Sequence, residues 1–278
     1  MTNISLIKDV LAIVDGDDAS LPAVDQAVAF AALHDASLTI IVASENVSLA
    51  AAAEPYGYAL ALTVAEELGS KHLAAVRARV KDAAVEVKVH GLLDDPSLLP
   101  SAAKIESRYA DIVLLPGASL WRDDGLRRHI TENVLFTGVP VLIMPKHWTP
   151  RGFTHVALGW NASLESFRAT RTLLTLVEPG ATVDILVVDA LDHYRTSQAV
   201  PGSYIAHHLA RHGLVAHVHA ISAGHKGPAH TLQGFAARHD ADALIVGGYG
   251  RSRALEFVLG GVTRELISHQ QVPVILVH

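Results

Sequence analysis

The sequence predicts two α/β domains, each an open, doubly wound sheet of five parallel strands with helices on both faces. Three observations predict it. The two halves of the chain copy each other. Within each half, short Val/Ile/Leu-rich runs alternate with segments of helical period, the pattern of βαβ units around a parallel sheet buried on both faces. Finally, 278 residues suit two domains of roughly 140 residues each. The repeat has three landmarks. VLAIVDGDDAS at Val10–Ser20 aligns with VALGWNASLES at Val156–Ser166, which pairs Asp15 with Asn161. ADIVLLPG from Ala110 aligns with ADALIVGG from Ala241, and VPVLIMP from Val139 with VPVILVH from Val272.

In chain order, the first half is expected to place strands near Val10–Val14, Leu38–Ala43, Val85–His90, Ile112–Leu115 and Val139–Met144. The second half places them near His155–Trp160, Thr182–Val188, Val215–Ile221, Ala243–Val246 and Val272–Val277. Helices fill the gaps. Leu21–His34 carries apolar residues at 21, 24, 28 and 31, and Ser163–Val177 opens with a Ser-x-Glu cap. Asp15 to Ala110 is 95 positions whereas Asn161 to Ala241 is 80, so the first half holds about 15 extra residues, around Glu45–Lys81. The polar stretch KHWTPRGF, Lys146–Phe153, with Pro150 and Gly152, reads as the linker. The expected domains are therefore residues 1–147 and 151–278.

Composition narrows the function classes. Half the residues are hydrophobic, only 18% are charged, and mean hydropathy is +0.30. A long disordered chain is excluded, because there is ample apolar surface to bury. No run approaches the length of a membrane span. The N-terminus MTNISLIKDVLAIVDGDD runs into acidic residues and lacks the pattern of a signal peptide. With no Cys there is neither a disulfide framework nor a thiolate metal site. A net charge of −6 gives no basic field for nucleic acid. A cytoplasmic protein with no nucleic-acid or membrane partner is the expectation.

In a doubly wound sheet, ligands bind at the C-terminal strand ends where strand order reverses, which points to the loops after the first and fourth strands. After the fourth strand of the second half comes GGYGRSRALEFVLGGVTRELI, Gly247–Ile267. Gly247 and Gly250 can bring backbone N–H groups close to an anion, and Gly260 and Gly261 open a helix whose N-terminus favours a phosphate. The alternative is that the glycines only make turns and tight helix packing. The loop is neither a P-loop nor a dinucleotide fingerprint.

On these residues the chain resembles the universal stress protein family, in its tandem form with two copies in one polypeptide. The resemblance implies Rossmann-like (adenine nucleotide alpha hydrolase-like) domains and a stress-response role. The family's nucleotide-binding members carry Gly-x2-Gly-x9-Gly-Ser/Thr, and Gly247, Gly250 and Gly260 keep that spacing. Gly261 stands where the family has Ser or Thr, and Thr263 or backbone N–H groups would substitute for the missing hydroxyl. The family's acid at the end of the first strand corresponds to Asn161, an amide that still hydrogen-bonds but carries no charge. The implied site is Trp160, Asn161, Ala162, Ser163, Val188, Gly247, Gly248, Gly250, Arg251, Gly260, Gly261, Val262 and Thr263. Its implied ligand is ATP or another adenine nucleotide, with Mg allowed alongside ATP and slow ATPase activity as in some members.

The first half inverts this pattern. Asp15 and Gly16 keep the family's Asp-Gly, but the loop PGASLWRDDGLRRHITENV from Pro116 lacks the second and third glycines, and Ser119 aligns with Gly250. Asp123 and Asp124 would repel phosphates. The resemblance also implies an intramolecular pseudo-dimer through the last strands of the two halves, with a further homodimer compatible but not required. Nine of the 17 histidines fall between His193 and His239. His217 with His219, and His208 with His212, have usable metal spacing, but without an acidic or Cys partner nearby no metal site is assigned. Arg127-Arg128-His129 reads as an exposed face. No catalytic motif is present. The leading reading is an adenine-nucleotide-binding stress protein with a structural or regulatory first half, acting with a protein partner that the sequence does not name. The rival is a nucleotide-independent interaction protein.

Overall fold

The computed structural model describes residues 6–46, 55–189, 202–249 and 261–278. One compact unit is Ile7–Pro150 and the other holds Arg151–His278. The first unit runs β1 (Asp9–Val14), α1 (Leu21–His34), β2 (Ser37–Glu45), α2 (Pro55–Arg79), β3 (Val87–Asp94), α3 (Leu99–Ser107), β4 (Ile112–Pro116), α4 (Asp124–Leu135) and β5 (Val141–Met144). Its strands lie in the order β3-β2-β1-β4-β5, every pair parallel.

The second unit runs β6 (Phe153–Gly159), α5 (Leu164–Leu176), β7 (Val177–Val188), α6 (Ser203–Arg211), β8 (Val215–Ile221), α7 (Gly227–Arg238), β9 (Ala243–Gly247), α8 (Gly261–Ser268) and β10 (Val274–Val277). Its order, β8-β7-β6-β9-β10, is the same arrangement, again parallel throughout. The chain is therefore a mixed α/β protein, Rossmann-like in each half. Strand order reverses between β1 and β4, and between β6 and β9, and this crevice is where such sheets take ligands.

The central strands are buried because both faces carry helices. Val10–Val14, Ile112–Leu115, Val156–Leu158 and Ala243–Val246 are all buried, which is why their sequences read as continuous apolar runs rather than alternations. The outer strand β3 alternates exposed and half-buried residues. Helix α1 has Pro in its first turn and stops at Asp35, left-handed at φ 50°, whose N–H returns to the carbonyls of Ala31 and Ala32. Strand β7 starts earlier than the expected Thr182. Val177 already pairs with Phe153, and a register shift between Phe153 and His155 absorbs the extra residues.

The repeated Ala-Asp landmark has a structural reason. Asp111 Oδ2 accepts the N–H groups of Lys8 and Asp9 at 2.7 and 3.0 Å. Asp242 Oδ2 accepts those of Thr154 and His155, both at 2.8 Å. Each carboxylate thus satisfies the start of its unit's first strand from the loop before the fourth, and so fixes the register of that pair.

The first half's additional residues belong to α2, which packs on β2 and β3 and meets the turn after β1. It comes close to the sheet at two glycines. A Cβ on Gly16, which sits at φ +75°, would lie 2.7 Å from both His72 Cβ and Val42 Cγ1, and one on Gly69 would lie 3.3 Å from Ser44. Only glycine at position 16 lets the helix rest against the strand end. Among the described residues, no helix is long and apolar enough to cross a membrane.

Asp242 is buried whereas Asp111 is exposed, so their loss should differ. Asp242→Ala should cost about 2–3 kcal/mol and Asp111→Ala about 1 kcal/mol, since hydrogen bonds to a charged acceptor matter most where water cannot replace it. Urea unfolding of the two variants checks the ranking.

Candidate functional site

In the second unit, the expected site residues gather at the carboxyl ends of β6, β7 and β9. Trp160, Asn161, Ala162 and Ser163 follow β6, Val188 ends β7, and Gly247 ends β9 with Gly248 after it. Gly261, Val262 and Thr263 form the first turn of α8. Gly250, Arg251 and Gly260 lie outside the described residues.

Local chemistry shapes this end. Asn161 Oδ1 accepts the Ser163 N–H at 3.1 Å, and Ala162 between them is left-handed at φ 57°. The Asn side chain thereby folds the strand-to-helix turn on itself, a role that Asp would fill equally. Ser163 then caps α5 by accepting the Ser166 N–H at 3.2 Å. The buried Trp160 ring stands edge-on to Phe167, with centroids 4.8 Å apart.

The glycines at this end differ in what they do. A Cβ on Gly247 would sit 2.6–2.7 Å from the Glu165 backbone carbon, Glu165 Cβ and Ser166 N, so this glycine lets the start of α5 pack against the end of β9. Gly261 is different. Among the described residues nothing lies within 4 Å of a Cβ there, and the first turn of α8 contains no acidic residue. Buried Thr263 accepts the Tyr249 N–H at 3.2 Å, so its hydroxyl ties the post-β9 loop to α8.

The corresponding end of the first unit is held by carboxylates. Asp15, at the end of β1, is buried. Its Oδ1 accepts the Asp17 N–H at 3.1 Å and its Oδ2 the Arg122 N–H at 2.8 Å. Asp123 caps α4, its Oδ1 accepting the N–H groups of Gly125 and Leu126 at 2.8 and 3.2 Å. Arg127 corrects the expectation of an exposed basic face, because it is wholly buried. Its Nη2 and Nε donate to Asp124 Oδ1 at 2.7 and 2.9 Å, and its Nη1 donates to the Pro116 carbonyl at 3.3 Å. Burial lowers its pKa against the opposing pull of Asp124.

A cavity of about 500 Å³ opens at this end of the first unit, lined by Asp15, Asp17 and Arg122, by Ala43, Ser44 and Glu45 from β2, and by one face of α2. The sequence reading did not anticipate the helical wall.

The sequence reading also missed a polar cluster on one face of the second sheet. Asp184 on β7 is nearly buried and receives His155 Nε2 and His219 Nε2, each at 2.8 Å. His219 in turn packs on Phe235 of α7, which stacks with His239 at 4.0 Å. Burial works to raise the Asp184 pKa, but the two histidine hydrogen bonds and their charge outweigh it and hold the carboxyl below its ordinary range. His208 and His212, the pair at helical spacing, contact each other edge-on at 4.7 Å.

Two mutational outcomes follow from this geometry. Gly247→Ala should destabilise the protein by about 1–3 kcal/mol through overpacking against α5, read as a lower urea midpoint with or without nucleotide. Asp184→Asn should cost about 1.5–3 kcal/mol at neutral pH. Because the folded-state pKa of Asp184 is depressed, its contribution is complete above the ordinary carboxylate range and is lost as pH falls from there through the lower folded-state pKa. The gap between wild type and Asp184→Asn should therefore close in acid.

The comparisons agree with this architecture. The model of the universal stress protein family matches residues 7–120 and 153–278. A universal stress protein from Archaeoglobus fulgidus DSM 4304 superposes with a TM-score of 0.73 at 17% identity, covering 99% of this chain and 98% of that one. A protein of unknown function from Pseudomonas aeruginosa PAO1 gives a TM-score of 0.57 at 15% identity, covering 98% and 92%. At such identities the likeness speaks for the fold alone. No curated protein matches the chain. With the family model covering both units, and the same strand order in each, the chain belongs to the universal stress protein family as a tandem member.

Proposed function

We propose that the second unit binds an adenine nucleotide, ATP, ADP or AMP, at the carboxyl ends of β6 and β9, and that the first unit is structural or regulatory. The chain would serve a stress response in the cytoplasm. One observation carries this reading: the difference between the two helix starts that follow the fourth strands. Helix α4 opens under the Asp123 carboxylate, whereas the first turn of α8 carries no acidic residue and, among the described residues, nothing stands within 4 Å of a Cβ on Gly261.

A helix N-terminus presents unpaired N–H groups and a partial positive charge, which favour an anion. In the first unit that anion is the protein's own, and a phosphate would also meet repulsion from Asp124. In the second unit the backbone of Gly247, Gly248 and Gly261–Thr263 would hold phosphates, with Gly250, Arg251 and Gly260 completing the loop. Asn161, Ala162 and Ser163 would face the ribose, and Trp160 and Val188 would lie beside the base. Among the described residues, no group of three or more His, Asp or Glu side chains is placed to hold a metal. Mg would accordingly enter with the phosphates of ATP.

Calorimetric titration with ATP, ADP and AMP tests the reading, together with mass analysis of nucleotide released from denatured protein. Gly250→Asp should weaken binding at least tenfold, about 1.4 kcal/mol, by placing a carboxylate where a phosphate approaches, while Ser119→Asp should leave it unchanged. Gly261→Ser should strengthen binding by roughly 0.5–1.5 kcal/mol by restoring a hydroxyl donor, since no described residue meets a Cβ there. Loss of binding in Ser119→Asp with retention in Gly250→Asp would reverse the assignment of the two halves. An empty site under nucleotide saturation would favour the interaction protein.

A further inference from the structure

We propose that the cavity of the first unit binds a small amphiphilic organic cation, its apolar body against α2 and its ammonium group beside Glu45. The volume, about 500 Å³, is that of a small-molecule site. One wall is apolar for a reason that folding does not supply. Leu60, Val64 and Leu68 recur every fourth residue, so they form one stripe on α2, and they line the cavity. Yet Leu60 and Val64 remain 59% and 55% exposed and Leu68 37%. A helix normally turns such a stripe into a core; here it lines the concave space of the cavity.

The opposite side is acidic. Asp15 and Asp17 line the cavity with Glu45, and Asp123 acts on Glu45 from the post-β4 loop. Both oxygens of Asp15 are already committed to backbone N–H groups. Glu45 is not committed, since among the described residues no hydrogen bond or ion pair reaches its carboxylate. Partial desolvation at the cavity lip, then Asp123 and Asp15, raise its pKa, and Arg122 opposes them. Arg122 brings a single positive charge against four carboxylates, and His72 is the remaining titratable group on the wall. The field is therefore negative where a polar head would sit, and an ammonium or amidinium group would relieve it. The same field disfavours phosphates and carboxylates. This site is independent of nucleotide binding in the second unit.

The test uses the full chain and three probes of equal length: octylammonium, octanol and octanoate, titrated calorimetrically at neutral pH. Octylammonium should bind about tenfold or more tightly than octanoate, with octanol between them. Glu45→Lys should abolish or invert the preference for ammonium over carboxylate. Leu60→Ser/Val64→Ser, at two exposed positions, should weaken octylammonium and octanol together by about tenfold while leaving the charge preference in place. Saturating ATP and the Gly250→Asp variant should leave octylammonium binding unchanged. The proposal is overturned by octanoate binding as tightly as octylammonium, by indifference to either set of substitutions, by absence of saturable octylammonium binding, or by displacement of octylammonium by ATP. Only the last of these would also move the nucleotide away from the second unit, so failure of one reading is distinguishable from failure of the other.

Discussion

The backbone N–H groups at a helix N-terminus need an acceptor, and the two halves of this protein differ in what the chain itself offers at the helix after the fourth strand. In the first unit Asp123 supplies it from within the chain. Around that carboxylate the rest of the strand-end region is organised: Asp15 holds the main chain of Arg122, and Arg127 is buried against Asp124 and the Pro116 carbonyl. The loop is closed by its own charges. In the second unit the helix starts at Gly261 without an acid, and Thr263 fastens the loop by accepting from Tyr249. One fold thus carries two strand ends furnished with different groups, which fits the principle that function resides in the site and not in the fold.

Much of this was legible in the sequence because a buried parallel strand writes itself as a continuous β-branched run. Helix α1 falls on Leu21–His34 as its period indicates, and β8 on Val215–Ile221. The landmark residues Asp111 and Asp242 recur because the same pair of backbone N–H groups must be satisfied in each copy. What escaped were interactions set by tertiary register. His155 and His219 lie 29 and 35 positions from Asp184, and only the alignment of β6, β7 and β8 places the three on one face. Their spacing along the chain resembles neither a metal motif nor a catalytic one.

One reading failed for a reason of burial. A run of adjacent basic residues ordinarily marks a solvated face, but Arg127 lies three residues after Asp124 on the same helix and so finds a partner without leaving the interior. Which face helix α2 turns to the sheet was not legible in the sequence. Its sequence is Ala-rich with apolar residues on more than one side, so its period does not reveal which stripe meets the sheet. Gly16 and Gly69 decide that, by letting the helix approach the turn after β1 and the end of β2 closely, and the stripe left over is the one that lines the cavity.

In the proposed assignment the strand end of the second unit accepts an anion and that of the first does not. Hydrogen–deuterium exchange with and without saturating ATP measures this difference directly, peptide by peptide. New protection is predicted in the segments joining β6 to α5 and β9 to α8, with exchange unchanged from Asp15 to Ser20 and from Arg122 to Leu126. Protection of those first-unit segments, with none after β6 and β9, would contradict it.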